Sequence, residues 1–298
     1  MMTEPSPPPP AQTPRSEPSD PTEPIDAIGR TSLWVAAMRA VETERSEAEG
    51  QLCEDPFARA LAGPEGFAVL EAADAQRGFP GPPVIALRTQ FNDQRFVATL
   101  GRGVRQVVTL AAGMDARAFR LPFPDGVRLF EVDRKEVLAY KAARLVRARP
   151  RCQRTTVALD LRDDWPAQLV AAGVEPTRPT LWLVEGLLMY LDPAAVELLF
   201  ERLSGLAAPG STLLFDVLGR SFMESPAMAR QLEIVRKMNA PWKFGLDEPE
   251  AFAARFGWRA TATDPGELGM PIGRWPFPLP PRHVPGVPRS FFVEAHRP

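Results

Sequence analysis

The sequence predicts an α/β fold: a doubly wound, mostly parallel sheet, preceded by an N-terminal helical segment and carrying a helical lid insertion. Three observations lead there. From about residue 25 to residue 100 apolar side chains recur at helical spacing. After Gly101 short apolar runs alternate with helix-forming stretches, the order of parallel strands joined by crossover helices. A stretch rich in Met, Phe and Trp, about residues 219–256, then breaks the alternation before one last apolar run.

Residues 1–24, MMTEPSPPPPAQTPRSEPSDPTEP, offer too little apolar surface to repay ordering and read as a disordered Pro-rich tail. The remainder, 25–298, suits one large α/β domain with elaborations. Its helical cap segment, 25–100, opens with TSLWVAAMRAVETE, where Thr31 or Ser32 serves as N-cap and Leu33, Ala36, Ala37, Ala40 and Val41 share one face. DPFARALA and IALRTQFNDQRFVATL read as two further helices. Strands are expected at QVVTLA (106–111), VRLFEVD (127–133), TTVALDL (155–161), TLWLVEG (180–186) and STLLFDV (211–217). Helices are expected between them at RKEVLAYKAARLVRAR, DDWPAQLVAAG and DPAAVELLFERLSGLA, the last begun by Asp192 and Pro193 and stopped by Pro209 and Gly210. The run KAARLVRARPRCQR places Lys141, Arg144 and Arg147 on one helix face, expected to be solvated rather than to bind an acidic partner. In the insertion Phe222, Met223, Met228, Met238, Trp242 and Phe244 pack as an apolar stripe, line a substrate pocket as a lid, or do both. A Pro-rich loop, 271–288, leads to RSFFVEAH, a final strand at or near a sheet edge.

A formal net charge of −2 gives no pull toward nucleic acid or an anionic membrane, so a small molecule is the expected partner. Two cysteines, Cys53 and Cys152, and two histidines, His283 and His296, are too few for a disulfide framework, a zinc site or a histidine-based triad. No run of about 18 apolar residues offers a membrane span, and residues 1–24 hold no stretch of signal-peptide type. A soluble, cytoplasmic protein without a metal, acting as a monomer or homodimer, is expected.

In a doubly wound sheet ligands bind beyond the carboxyl ends of the strands. The first four expected strands end in Ala112-Gly113-Met114-Asp115, Glu131-Val132-Asp133, Asp160-Leu161 and Glu185-Gly186, which brings acids and glycines to one rim. The first turn, in TLAAGMDARAFRLP, carries one glycine where a dinucleotide fingerprint carries three. Asp133 lies 20 residues beyond Gly113, the separation at which a strand-end acid meets a ribose resting on the first turn. Singly, Gly113 is equally a turn glycine, Asp133 a solvated strand end, Asp160 a helix cap and Arg88 a surface arginine. Jointly, one glycine and a strand-end acid suit S-adenosylmethionine, which has adenosine and an amino acid but no phosphate, better than NAD. Arg88, in ALRTQFND, is the cation best placed for its carboxylate, and Asp160 can accept from an adenine amine.

The ordered set LRTQFNDQRF, RQVVTLAAGMDARAFRL, RLFEVD, VALDL and LWLVEGLLMYL resembles the leucine carboxyl methyltransferase family, in particular its bacterial branch of S-adenosylmethionine-dependent methyltransferases. The likeness takes in LWVAAMRAVE and EDPFA and covers roughly residues 27–217. It implies a Rossmann-like class I methyltransferase fold and S-adenosyl-L-methionine as cofactor. Carried over position by position, it implies that Arg88 holds the methionine carboxylate, Gly113 forms the cofactor turn and Asp133 binds the ribose. Asp160 and Leu161 would flank adenine, and Glu185 would lie near the methionine amino group. Arg39, in AAMRA, falls where a basic residue of the family helps grip the cofactor carboxylate. The sequence departs at Ala111, where glycine is usual, a mild steric change, and at Ala116, where threonine is usual and a hydroxyl is lost.

The expected reaction is O-methylation of a small-molecule carboxylate or phenolic hydroxyl in secondary metabolism. Transfer from a sulfonium is an in-line displacement, so positioning supplies most of the catalysis. A carboxylate is already ionised at neutral pH, whereas a phenol with a pKa near 10 gains from a base. Glu185, Asp216 or Tyr190 could assist, and no catalytic base is assigned. Two other classes stay open on the sequence: an NAD(P)-dependent oxidoreductase, against which the single glycine argues, and a non-catalytic S-adenosylmethionine-binding domain.

Overall fold

Asp26, not Thr31 or Ser32, starts the first helix in the computed structural model, which describes residues 25–78 and 81–298. Its carboxylate accepts from Gly29 N at 2.7 Å and caps α1 (Ala27–Thr43). The hydroxyls of Thr31 and Ser32 donate back to Ile28 O and Gly29 O at 2.6 Å each, as hydroxyls inside a helix do. Leu33, Ala36, Ala37 and Ala40 are buried as expected, while Val41 is exposed. The second helix, α2 (Ala58–Arg77), breaks at Gly63, whose φ of 57° precedes Pro64. It then packs against α1 so closely that a Cβ on Gly66 would overlap the carbonyl of Leu33. The last helix of this segment is α3 (Val84–Gly101). The tail expected over residues 1–24 lies outside the described residues.

Beyond α3 the expected alternation unfolds as β1 (Gln106–Leu110), α4 (Arg117–Arg120), β2 (Arg128–Asp133), α5 (Lys135–Arg144), β3 (Gln153–Ala158), α6 (Trp165–Ala171), β4 (Thr180–Val184), α7 (Pro193–Gly205) and β5 (Thr212–Leu218). There follow α8 (Arg220–Glu224), α9 (Ala229–Lys237), α10 (Pro249–Arg255), β6 (Arg259–Thr263), α11 (Pro265–Gly269) and β7 (Ser290–His296). Among the described residues seven strands form one sheet in the order β3-β2-β1-β4-β5-β7-β6, the first five parallel and β7 antiparallel to both neighbours. Chain order reverses between β1 and β4, where ligands of such sheets bind.

β1, β4 and β5 are apolar almost throughout because both faces are covered, whereas the edge strands β3 and β6 are largely exposed. Val108, Leu110, Trp182, Val184, Leu213 and Phe215 join Trp165, Phe200 and Phe252 in one core. Their strand neighbours Val107, Leu181, Leu183 and Leu214 join Leu33, Phe96 and Val137 in another, on the side of the N-terminal helices.

Four expectations are corrected. The third strand ends at Ala158, so Asp160 and Leu161 stand in the turn beyond it rather than within it. β6 has no counterpart among the expected strands; RATAT is a half-exposed edge with weak alternation, and it displaces β7 one place inward. α10 is not part of a separate insertion, since Phe252 and Ala253 pack in the sheet core. Lys141 is fully buried rather than solvated: its Nζ lies 2.8 Å from Glu131 Oε2, which also receives Arg154 at 2.7 Å. Arg144 stays exposed and stacks over Tyr140. No helix of the described residues is long and apolar enough to cross a membrane.

Candidate functional site

The turn after β1 forms because the chain must reverse at once to enter α4. Ala111 takes a φ of 52° and Gly113 a φ of 45°. At Gly113 a Cβ would stand 3.1 Å from Ser32 Cβ of α1, so the turn needs glycine for space as well as conformation. Ala111 is more than a mild steric change, because its backbone occupies the left-handed region that disfavours a Cβ.

Asp133, closing β2, is aimed at this turn. Its Oδ2 accepts from Gly113 N at 2.7 Å and its Oδ1 from Arg134 N at 2.7 Å. Burial pushes its carboxyl above the usual range, and the two amides only partly pull it back. Each oxygen keeps a lone pair for a further donor. Asp160 is held differently: Arg162 makes a two-pronged contact at 2.9 and 2.6 Å, and the arginine lowers its pKa. It does not cap α6, whose N-cap residue is Asp164.

Next to the turn runs a continuous chain of buried ion pairs. Arg39 Nε of α1 meets Asp55 Oδ2 at 2.9 Å, while its Nη2 donates to Met114 O at 2.6 Å and so clasps the turn. Arg120 approaches Asp55 at 4.0 Å and grips Asp93 with both terminal nitrogens, at 2.6 and 2.8 Å. Arg117 divides its three nitrogens among Asp93 (2.7 Å), Asp115 (2.5 Å) and Glu185 (2.9 Å). Arg88 then joins Glu185 at 3.1 Å to Asp216 at 3.0 Å, and Asp216 Oδ1 accepts from Gly186 N at 2.6 Å. Asn92 Nδ2 donates to Glu185 at 2.9 Å. Burial raises the Glu185 carboxyl, but Arg117 and Arg88 outweigh it and bring the pKa to about 2. Asp216 stays raised, because burial and the nearby Glu185 charge exceed the pull of Arg88.

Turn, acids and arginines open onto a cavity of about 1210 Å³. Arg39, Arg88, Gly113, Asp133, Asp160, Leu161 and Glu185 all line it, so the structure brings every expected site residue to one space. Tyr190 and Asp216 line it too. Apolar side chains also line it: Trp34 and Met38 of α1, and Phe222, Met228 and Trp242. Met238 packs with Trp34, Ile234 and Val235, whereas Phe244 belongs to the sheet core. Sequence reasoning placed Asp115 on the rim without giving it a role, and missed Asn92, Asp93, Arg117 and Arg120. Two signals could have found them: Arg88 and Asn92 are four apart on one helix face, and Asp115, Arg117 and Arg120 crowd the turn itself.

Residues 32–204 match the model of the family described as leucine carboxyl methyltransferase. The chain belongs to that family. A relative from Mycobacterium ulcerans (strain Agy99), named "Putative S-adenosyl-L-methionine-dependent methyltransferase", is 38% identical over 306 residues, covering 92% of this chain and 96% of its own. A relative of the same name from Mycobacterium tuberculosis (strain ATCC 25177 / H37Ra) is 41% identical over 232 residues, 72% of this chain and 73% of its own. As a member of the family the chain is an S-adenosyl-L-methionine-dependent methyltransferase, which sets aside the oxidoreductase and non-catalytic alternatives. A solved DUF574 family protein from Streptomyces avermitilis shares its fold with a TM-score of 0.59 and 16% identity, over 90% of this chain and 97% of the other. A solved protein from Thermobifida fusca, titled a putative methyltransferase, does so with a TM-score of 0.55 and 20% identity, over 80% and 92%. At those identities the likeness concerns the fold alone.

Proposed function

We propose that this family member transfers a methyl group from S-adenosyl-L-methionine to an oxygen of a small, largely apolar acceptor bearing a carboxylate or an acidic phenol, in secondary metabolism. The observation that carries the reading is that one cavity is lined both by strand-end acids and arginines, taken as its floor, and by apolar side chains of α1 and residues 222–242. The floor fits the cofactor. Asp133, fixed by two backbone amides with lone pairs to spare, suits a ribose diol. The bare backbone at Gly113 suits close approach. Asp160 and Leu161 would flank adenine, Glu185 would receive the methionine ammonium and Arg88 its carboxylate. Arg88 Nη2 makes no hydrogen bond among the described residues, which leaves it a donor for that role. Both engaged nitrogens of Arg39 are spent on Asp55 and Met114, so Arg39 would act by holding the turn.

When bound, the cofactor supplies an electrophilic methyl group: a bond forms from the acceptor oxygen to that carbon, the carbon–sulfur bond breaks, and its electron pair remains on sulfur as a neutral thioether. The protein's part is to align the two reactants and to exclude water. Residues 219–248 would form the lid and residues 25–100 the cap that enclose them. A carboxylate acceptor needs no base. For a phenol, Tyr190 is the remaining candidate, because Asp216 is already bound to Gly186 N and Arg88.

The test is calorimetric titration with S-adenosyl-L-methionine and with NADH, then radiolabelled methyl transfer to a panel of apolar carboxylic acids and phenols. Binding of the first compound and labelling of esters or ethers are expected. Transfer confined to amines or thiols would sink the O-methylation reading.

A further inference from the structure

Arg117 is absent from the residues that the family resemblance supplies, yet it has the richest set of partners in the site. Its guanidinium reaches three carboxylates at once, Asp93 of α3, Asp115 of the first turn and Glu185 at the end of β4, and its own backbone N–H donates to Asp115 Oδ1 at 2.6 Å. Asp115 and Glu185 stand on either side of the point where the strand order reverses, between β1 and β4. Two anions facing each other there repel, and a planar fork that is always charged is the side chain that can hold both. Arg117 is only 4% exposed, so its charge is spent on these carboxylates rather than on bulk solvent.

We propose that Arg117 is the positioning residue of the cofactor site: by bridging Asp115 and Glu185 across the β1/β4 switch point it fixes, and keeps ionised, the carboxylate that receives the methionine ammonium. The proposal rests on the assignment of Glu185 to that ammonium. The groups facing Glu185 are Arg88 and Asn92 from α3, Arg117 from α4, Asp115 from the turn, Arg39 from α1 and Asp216 from β5. Without Arg117 the cationic neighbours are Arg88, itself shared with Asp216, and the more distant Arg39, while burial and two anions push the Glu185 proton affinity up. The expected consequence is a cofactor affinity that becomes sensitive to acid where the native protein is not.

The experiment is titration of S-adenosyl-L-homocysteine into the native protein and variants between pH 5 and pH 7, where the ligand's ammonium stays protonated. Native affinity is expected to be flat. In Arg117→Met it should fall toward low pH, by up to about tenfold per pH unit below the raised pKa of Glu185. In Glu185→Gln it should be weak and flat. A weak but flat Arg117→Met overturns the positioning role, since a merely structural loss gives that result. A Glu185→Gln variant that binds as well as the native protein instead overturns the ammonium assignment, and the proposal with it. Should Arg117→Met fail to fold, Arg117→Lys keeps the charge but has one nitrogen for three carboxylates. In that background Glu185→Gln should cost less than about threefold, against about tenfold or more in the native protein. Equal costs in the two backgrounds overturn the proposal.

Discussion

At the residue scale the site turns on single backbone and carboxylate positions. Asp133 is held by two amides and offers its remaining lone pairs to the cavity. Asp133→Ala should therefore lower S-adenosyl-L-methionine affinity by about a hundredfold or more, the loss of two hydrogen bonds to a charged group, as measured by calorimetry. Near-normal affinity would remove the ribose assignment. Ala111 carries a φ of 52°, which costs a residue with a Cβ about 1–2 kcal/mol and glycine almost nothing. Ala111→Gly should raise stability in urea by about 0.5–1 kcal/mol, after the greater freedom of glycine in the unfolded chain is subtracted. An unchanged or lower midpoint would mean that the turn relaxes around alanine. The spacing from Gly113 to Asp133 was legible because both ends are fixed by strand termini. The strain at Ala111 was not, because no local pattern reports a positive φ at alanine.

At the scale of elements the strands were readable from composition, since a strand buried on both faces must be apolar along its whole length. The half-exposed β6 escaped, although the equally exposed edge strand β3 was expected. The stretch 219–256 was readable as helical and apolar, but not how it divides. Its first part faces the cavity through Phe222, Met228 and Trp242, while Phe244 and α10 serve the core. Replacing a residue of the first group should affect the acceptor more than the cofactor. For Trp242→Ala we expect affinity for S-adenosyl-L-homocysteine within about twofold of native, and kcat/KM for an acceptor reduced on the order of thirtyfold, the worth of about 2 kcal/mol for a buried aromatic anchor. Equal losses in both would place Trp242 in the fold rather than in a lid.

At the scale of the whole molecule the ion-pair chain from Arg39 to Asp216 joins the N-terminal helices to the ends of β1, β4 and β5. Its pH dependence follows from the folded pKa values. Glu185 falls from 4.5 to about 2, and Asp115 is lowered as well. A carboxyl depressed in the fold stabilises fully above its unfolded pKa and loses that contribution as pH falls through the folded one. Asp133 and Asp216, both raised, act in the opposite sense just above their unfolded value of 3.8. Calorimetric melting should thus show a midpoint that drops between about pH 4.5 and pH 2, with Glu185 accounting for on the order of 3 kcal/mol. Glu185→Gln should show a smaller drop; an identical one would deny the pair its energetic role. The sequence by itself determined the order of the chemistry along the chain: which strand each acid follows or closes, though not the last residue of β3, and that the first turn suits a ligand without phosphate. Those features are local, set by apolar runs and the turns that stop them. The tertiary structure alone decided that Arg88 shares its charge with Asp216, that Lys141 is buried against Glu131, and that Arg117 meets Asp93, Asp115 and Glu185 together. An arginine becomes a hub only when residues 24 and 68 positions away are brought to its guanidinium, and sequence spacing carries no record of that approach.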